Sequence, residues 1–151
     1  MNQTKHPKQL YLLFFTEMWE RFSFYGMKAL LLAYMVTQLK FDEPKGYAIL
    51  GAYSALVYTM PMFGGMLADK FLGYRRAIIF GGVMMAIGHI VLAIPQDWSF
   101  FYGMAFIICG NGFFKPNVSS LVGTLYDNND PKKDSAFSLF YMGINIGAAL
   151  G

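Results

Sequence analysis

The sequence predicts an all-α membrane protein, and three observations lead there. The first is composition. Of the 151 residues, 56% are hydrophobic and 14% charged, against about 25% charged in an ordinary soluble domain. Too little polar surface remains to cover that apolar load in a soluble fold of this length. The second is arrangement, because the apolar residues gather into five long runs joined by short polar connectors. The third is charge, because the bases are divided unequally between alternate connectors.

A helix needs about 20 residues to cross the hydrocarbon core of a bilayer. The first run extends from Leu10 to Leu39. The tail before it, MNQTKHPKQ, is polar and weakly basic. The run is too long for a signal-peptide core, contains charges, and is followed by no small-residue cleavage site, so it reads as a retained span. The second run covers Tyr47 to Ala68, the third Ala77 to Pro95 and the fourth Phe100 to Tyr126. A fifth begins near Ser135 and is still apolar at Gly151. The connectors KFDEPKG, DKFLGYRR, QDW and DNNDPKKD hold the breakers Pro44, Gly46, Gly73 and Pro131, as loops do. Glycines recur in the runs, among them Gly64, Gly81, Gly88, Gly103, Gly110, Gly112, Gly143 and Gly147. In lipid no hydrophobic drive pulls helices together, and small residues let their backbones approach. Pro61 and Pro116 each remove a backbone donor inside a run, which neighbours or water must make good.

Orientation follows from the bases. Lys5 and Lys8 in the tail, Lys70, Arg75 and Arg76 in the second connector, and Lys132 and Lys133 in the fourth make seven on one side. Lys40 and Lys45 in the first connector make two on the other, and QDW has none. The imbalance places the N-terminus in the cytoplasm of a multi-pass protein of the cell membrane.

Other classes fit poorly. A net charge of +3 without dense basic clusters does not suit nucleic acid as a partner. One cysteine, Cys109, excludes a disulfide framework and a Cys-rich metal site; no metal ligand set is expected. His89 reads as a packing residue or local hydrogen-bonder. GNG at Gly110 is no nucleotide loop, since it lies inside an apolar run. Glu17 and Glu20 look like a catalytic acid pair but share one helix with no nucleophile beside them, so an enzyme is not expected.

The informative stretch is TEMWERFSFYGMK, residues 16–28, inside the first run. Glu17, Glu20, Arg21, Phe24, Tyr25 and Lys28 are spaced 3, 1, 3, 1 and 3 apart. At about 100° per residue they fill an arc of roughly 140° on one helix face. Met18, Phe22 and Leu30 lie off it. A charge at the bilayer centre costs about 2.5–3.5 kcal/mol on insertion scales, so these groups must pair with one another or line water. Arg21 can bridge to Glu17 one turn back, but one arginine does not neutralise two acids. A carboxylate short of a partner in low dielectric holds its proton more tightly. The stripe is therefore expected to bind and release protons. Lys115, in GNGFFKPNVSS midway along the fourth run, is a further intramembrane charge. The acids within the runs are Glu17 and Glu20, so Lys115 is expected to face the stripe.

These motifs resemble the proton-dependent oligopeptide transporters, a branch of the major facilitator superfamily. Glu17-Met-Trp-Glu20-Arg21-Phe-Ser-Phe24-Tyr25-Gly26 is similar to the helix-one motif E-x-x-E-R-F-x-Y-Y-G. GGMLADKFLGYRRAI, from Gly64 to Ile78, resembles the gating loop between helices two and three, with Asp69, Lys70, Arg75 and Arg76 at its charged positions. Gly112-Phe-Phe-Lys115-Pro-Asn117 looks like the helix-four lysine motif, and FSLFYMGINIGAA from Phe137 the helix-five motif around Asn145. The likeness spans essentially the whole chain.

The resemblance implies roles. Glu17, Glu20 and Arg21 would form the proton-coupling network, with Lys115 as its switching partner. Tyr25, Lys28, Tyr58, Lys115 and Asn145 would line the peptide site, together with Phe24. Two residues depart from the family pattern. Phe24 stands where many members have tyrosine, which removes a hydroxyl contact to the peptide. Lys28 stands where many bacterial members have arginine, so a bidentate grip on the peptide carboxylate becomes a point-charge contact. The histidine of animal relatives in helix two is absent, with Gly51 about there. The implied fold is two six-helix bundles with the site between them. Residues 1–151 would then be the N-terminal bundle, incomplete: four transmembrane helices and the start of a fifth, with the C-terminal bundle absent as a partner. The implied activity of the parent protein is symport of di- and tripeptides with protons as coupling ion and no other cofactor, in the lipid bilayer. A carrier of nitrate or another small substrate, and a non-transporting sensor on the same scaffold, are the alternatives.

Overall fold

A computed structural model describes residues 5–151; residues 1–4 of the tail, expected from charge on the cytoplasmic side, lie outside the described residues. Five α-helices follow one another: α1 (Lys8–Thr37), α2 (Glu43–Leu67), α3 (Tyr74–Leu92), α4 (Asp97–Thr124) and α5 (Lys133–Leu150). Among the described residues there is no strand. All five expected helices form. The shortest, α5, has 18 residues, about 27 Å of helix at 1.5 Å per residue against a hydrocarbon core of about 30 Å.

The ends differ from the sequence reading in ways that local chemistry explains. Helix α2 starts at Glu43, not near Tyr47, with Pro44 in its first turn. There the missing proline N–H has no helical acceptor to lose, so a residue read as a loop-breaker is a helix start. Helix α3 stops at Leu92, before Pro95, because the residue ahead of a proline is pushed out of the helical region. The connector QDW is largely helical. Asp97 begins α4, and Ser99 Oγ donates to Gln96 O at 2.7 Å. The connector DKFLGYRR is also wound: Ala68–Leu72 form a π-helical turn continuous with α2. Gly73 ends it, its N–H donating to Ala68 O at 2.8 Å and its φ at +73°. A residue with a Cβ is strained at that φ.

The chain divides into two compact units. One holds residues to Leu30 together with Val118–Gly151, and the other holds Leu31–Asn117. In the first, α5 lies against the N-terminal part of α1 through Gly143 and Gly147. A Cβ on Gly143 would meet the Phe14 ring at 2.8 Å, and one on Gly147 would collide with the Met18 carbonyl. Such contact needs glycine, and it brings backbone dipoles and dispersion into play where the hydrophobic effect is absent. Near the start of α1, His6 Nδ1 and Tyr126 Oη share a hydrogen bond of 2.8 Å.

In the second unit α4 is met by two glycine pairs. Gly112 lies against Gly64 of α2, and Gly110 against Gly81 of α3, with no room for a Cβ at any of the four. The Gly112 carbonyl, which Pro116 leaves without its helical donor, points at Gly64. An aromatic group closes the α1–α2 connector. Tyr34 stacks on Phe100 at 6.1 Å, Phe41 stacks on Phe101 at 6.4 Å, and Lys45 Nζ sits 3.9 Å from the Phe41 ring centre.

Many large apolar side chains stand exposed, including Leu12, Leu30, Ile79, Ile87 and Ile90. Among the described residues, α3 alone is both long and apolar enough to cross a membrane by its own composition. The other helices carry more polar groups, and α1 must hide its charged face against protein.

Candidate functional site

The site is built on α1. No proline interrupts Lys8–Thr37, and the helix runs on through Gly26, so the 3.6-residue period carries the stripe intact through the apolar segment. Glu17 is 2% exposed and Arg21 4%. Arg21 Nε lies 3.5 Å from Glu17 Oε1, the expected one-turn bridge. The shorter contacts run to Glu20: Arg21 Nη2 donates to Glu20 Oε1 at 2.6 Å, and Nε donates to Oε2. One guanidinium thus forks onto one carboxylate and reaches a second. Adjacent helical positions do not face each other at Cβ, and spacing alone does not reveal the Arg21–Glu20 fork. The two long side chains curl to meet. A planar, always-charged guanidinium is the group suited to this, since a bidentate pair is stronger than a point contact.

Helix α5 comes close to this network at Gly147. A Cβ on Gly147 of α5 would also come within 3.0 Å of Arg21 Cβ. Gly147 was expected only as a packing position. Its place opposite Arg21 requires knowledge of how α1 and α5 are paired, which no local pattern supplies.

Toward the C-terminal side of the stripe the chemistry changes. Phe24 is 5% exposed. Its ring centre lies 5.0 Å from Arg21 Cζ and 6.0 Å from Lys28 Nζ. Tyr25 is exposed and meets Phe24 edge-on at 5.3 Å. Lys28 is half-buried.

On α4, Lys115 is half-buried and its Nζ lies 5.4 Å from the Tyr58 ring centre of α2. The Tyr58 side chain is 64% exposed. Asn117 is buried and donates its Nδ2 to Phe113 O at 2.6 Å, across the turn that contains Lys115. These residues lie in the second unit and the charged stripe in the first. On α5, Asn145 is exposed, about 200° around the helix from Gly143. His89 Nδ1 is 2.7 Å from Met85 O, one turn back, a local hydrogen bond.

The loop charges Asp69, Lys70, Arg75 and Arg76 are all exposed. Arg75 and Arg76 fall in the first turn of α3, the positive end of the helix dipole, where a cation is locally unfavourable. Local stability therefore does not account for their placement.

An all-α fold with exposed apolar faces, glycine-packed helices and a buried Glu–Arg–Glu cluster is that of an integral membrane protein. The sequence profile of the POT family (PTR2) matches residues 75–150. The chain is 49% identical over 151 residues to the uncharacterized transporter YclF of Bacillus subtilis (strain 168), an alignment covering 96% of this chain and 31% of that protein. It is 44% identical over 150 residues to dipeptide and tripeptide permease A of Escherichia coli (strain K12), covering 98% of this chain and 30% of the permease. The crystal structure of the peptide transporter POT in complex with sulfate superposes with a TM-score of 0.92 at 48% identity, over 98% of this chain and 31% of that one. The chain belongs to the POT family. Its fold is the N-terminal part of the family's major facilitator architecture, and it spans about a third of the length of the relatives it matches.

Proposed function

We propose that the protein of which this chain is a part is a proton-coupled symporter of di- and tripeptides working by alternating access. The observation that carries the reading is the buried cluster in which Arg21 holds both Glu17 and Glu20. Buried ion clusters are poor stabilisers compared with apolar packing, and intramembrane ionisable groups mark ion and substrate paths. Lys28, Tyr25 and Tyr58 present cationic and phenolic groups suited to a peptide's carboxylate and amides, and a relative is a dipeptide and tripeptide permease.

In the proposed cycle a proton enters the carboxylate cluster. Lys115, the switching partner that the resemblance implies, then helps to bind the peptide carboxylate, as does Lys28. Asn145 and Tyr25 contribute polar contacts. The bundle then rocks against a second, C-terminal bundle. Asp69, Lys70, Arg75 and Arg76 break and re-form cytoplasmic contacts as it does so, with the N-terminus in the cytoplasm. Protons are the coupling ion and no other cofactor is used. A membrane potential contributes about 2.3 kcal/mol per charge per 100 mV, enough for accumulation.

The test is uptake by the full-length protein in proteoliposomes under an imposed proton gradient. Glu20→Gln should abolish uphill dipeptide accumulation while leaving exchange of peptide across the membrane. Normal accumulation by Glu20→Gln would refute the coupling scheme. Uptake of nitrate that dipeptides do not inhibit would refute the substrate.

A further inference from the structure

The Phe24 ring is placed against two cations, and the peptide-symport reading gives it no task beyond the loss of a hydroxyl. Arg21 and Lys28 lie seven residues apart, about 10 Å along the axis, on nearly the same face. Both approach the same ring, Arg21 Cζ at 5.0 Å and Lys28 Nζ at 6.0 Å. The ring is 95% buried, since its residue is only 5% exposed. Two like charges on one face repel each other in low dielectric. The face of an aromatic ring carries negative potential and attracts a cation, more strongly when water is excluded. A ring between them turns a repulsive arrangement into two attractive contacts. A tyrosine hydroxyl at so buried a position would need a hydrogen-bond partner; phenylalanine offers ring electrons alone.

Lys28 is the residue that benefits most. Its ammonium is a compact charge on a flexible four-carbon stem with no fork to orient it, and freezing such a stem has a large entropic cost. We propose that Phe24 is a positioning residue whose ring, shared by Arg21 and Lys28, fixes the Lys28 ammonium for the substrate while holding the guanidinium on Glu17 and Glu20. The proposal rests on the peptide-symport reading for its consequence in transport, but not for the ring–cation contact itself.

The experiment replaces Phe24 in the full-length protein with 4-fluoro-, 3,5-difluoro- and 3,4,5-trifluorophenylalanine. Each fluorine withdraws charge from the ring face with little change of shape. In proteoliposomes, kcat/KM for a dipeptide should fall stepwise, about tenfold by the third fluorine for a desolvated contact, with the change mainly in KM. Phe24→Tyr should retain the ring effect and Phe24→Leu should match or exceed the trifluoro loss. In a Lys28→Met background the dependence on fluorine should shrink, as a coupled pair requires. A flat fluorine series beside a damaged Phe24→Leu would show that the ring only fills space and would overturn the proposal. An undiminished series in Lys28→Met would overturn the role of Lys28. The melting temperature of the detergent-purified protein reads the same series without transport, stepping down with each fluorine or staying level. Absence of peptide uptake by the unmodified protein sinks the symport reading alone, and the melting series still decides the ring.

Discussion

The charges of α1 and those from Asp69 to Arg76, around the start of α3, are acids and bases in opposite surroundings. Glu17 and Arg21 are buried and joined within one helix, whereas Asp69, Lys70, Arg75 and Arg76 are exposed. A buried charge is tied to its partner, because removing either leaves the other without compensation in low dielectric. An exposed charge is screened by water and salt and contributes little to stability. The two regions should therefore respond to mutation in different currencies, α1 in folding and coupling together, the loop in conformational change alone.

The hardest test of this contrast is Arg21→Met. It keeps an unbranched apolar stem and takes the guanidinium away from Glu17 and Glu20. Breaking a buried ion pair on one side costs about 3–5 kcal/mol. The full-length protein should show a large drop in melting temperature, and proton-driven uptake should vanish. Replacing all three charges with Gln, Gln and Met should recover most of the stability and none of the coupling. If Arg21→Met alone melts like wild type, the cluster is not buried as described and the contrast with the loop collapses.

The same cluster shows how much was legible in the sequence. Five helices, their order and the polar face of α1 follow from apolar runs and a 3.6-residue period, which are local properties. The candidate residues of α1 follow likewise, Lys115 from its charge inside an apolar run, and the resemblance adds the rest. What escaped was contextual. Pro44 and the DKFLGYRR segment carry breaker residues, yet Pro44 opens α2, and the chain after Leu67 winds into a π turn before Gly73 stops it. The Arg21–Glu20 fork depends on rotamers, and the burial of Phe24 against two cations on how the side chains of α1 lie. Gly147 matters because of which helix lies opposite it. Periodicity assigns a residue to a face; it does not say what that face meets.

Gly147 gives a test of intermediate size. A Cβ there would meet the Met18 carbonyl and crowd Arg21. Overpacking of a tight interface costs about 1–3 kcal/mol, so Gly147→Val should lower the melting temperature less than Arg21→Met does. Because it moves Arg21, it should also shift the pH profile of uptake. Gly82→Ala on α3, where a Cβ meets nothing within 4 Å, is the matched control and should change neither. An unchanged pH profile in a destabilised Gly147→Val protein would assign Gly147 to packing only and sever it from the charged cluster.

The smallest expected effect is the most discriminating for the loop. Arg75 is exposed and sits in the first turn of α3, where the helix dipole disfavours a cation by a few tenths of a kcal/mol. Arg75→Gln should change stability by no more than about 0.5 kcal/mol, and toward greater stability if anything. If the loop charges gate the cytoplasmic side, the same variant should still lower the turnover rate of peptide uptake, with KM little changed, because a gate affects the rate of conformational change more than the ground-state grip on substrate. A variant that loses stability as Arg21→Met does would place Arg75 in a structural network like that of α1. A variant that loses neither stability nor turnover would leave the loop charges without a part in the cycle, and the unfavourable position of two arginines at a helix N-terminus would need another cause.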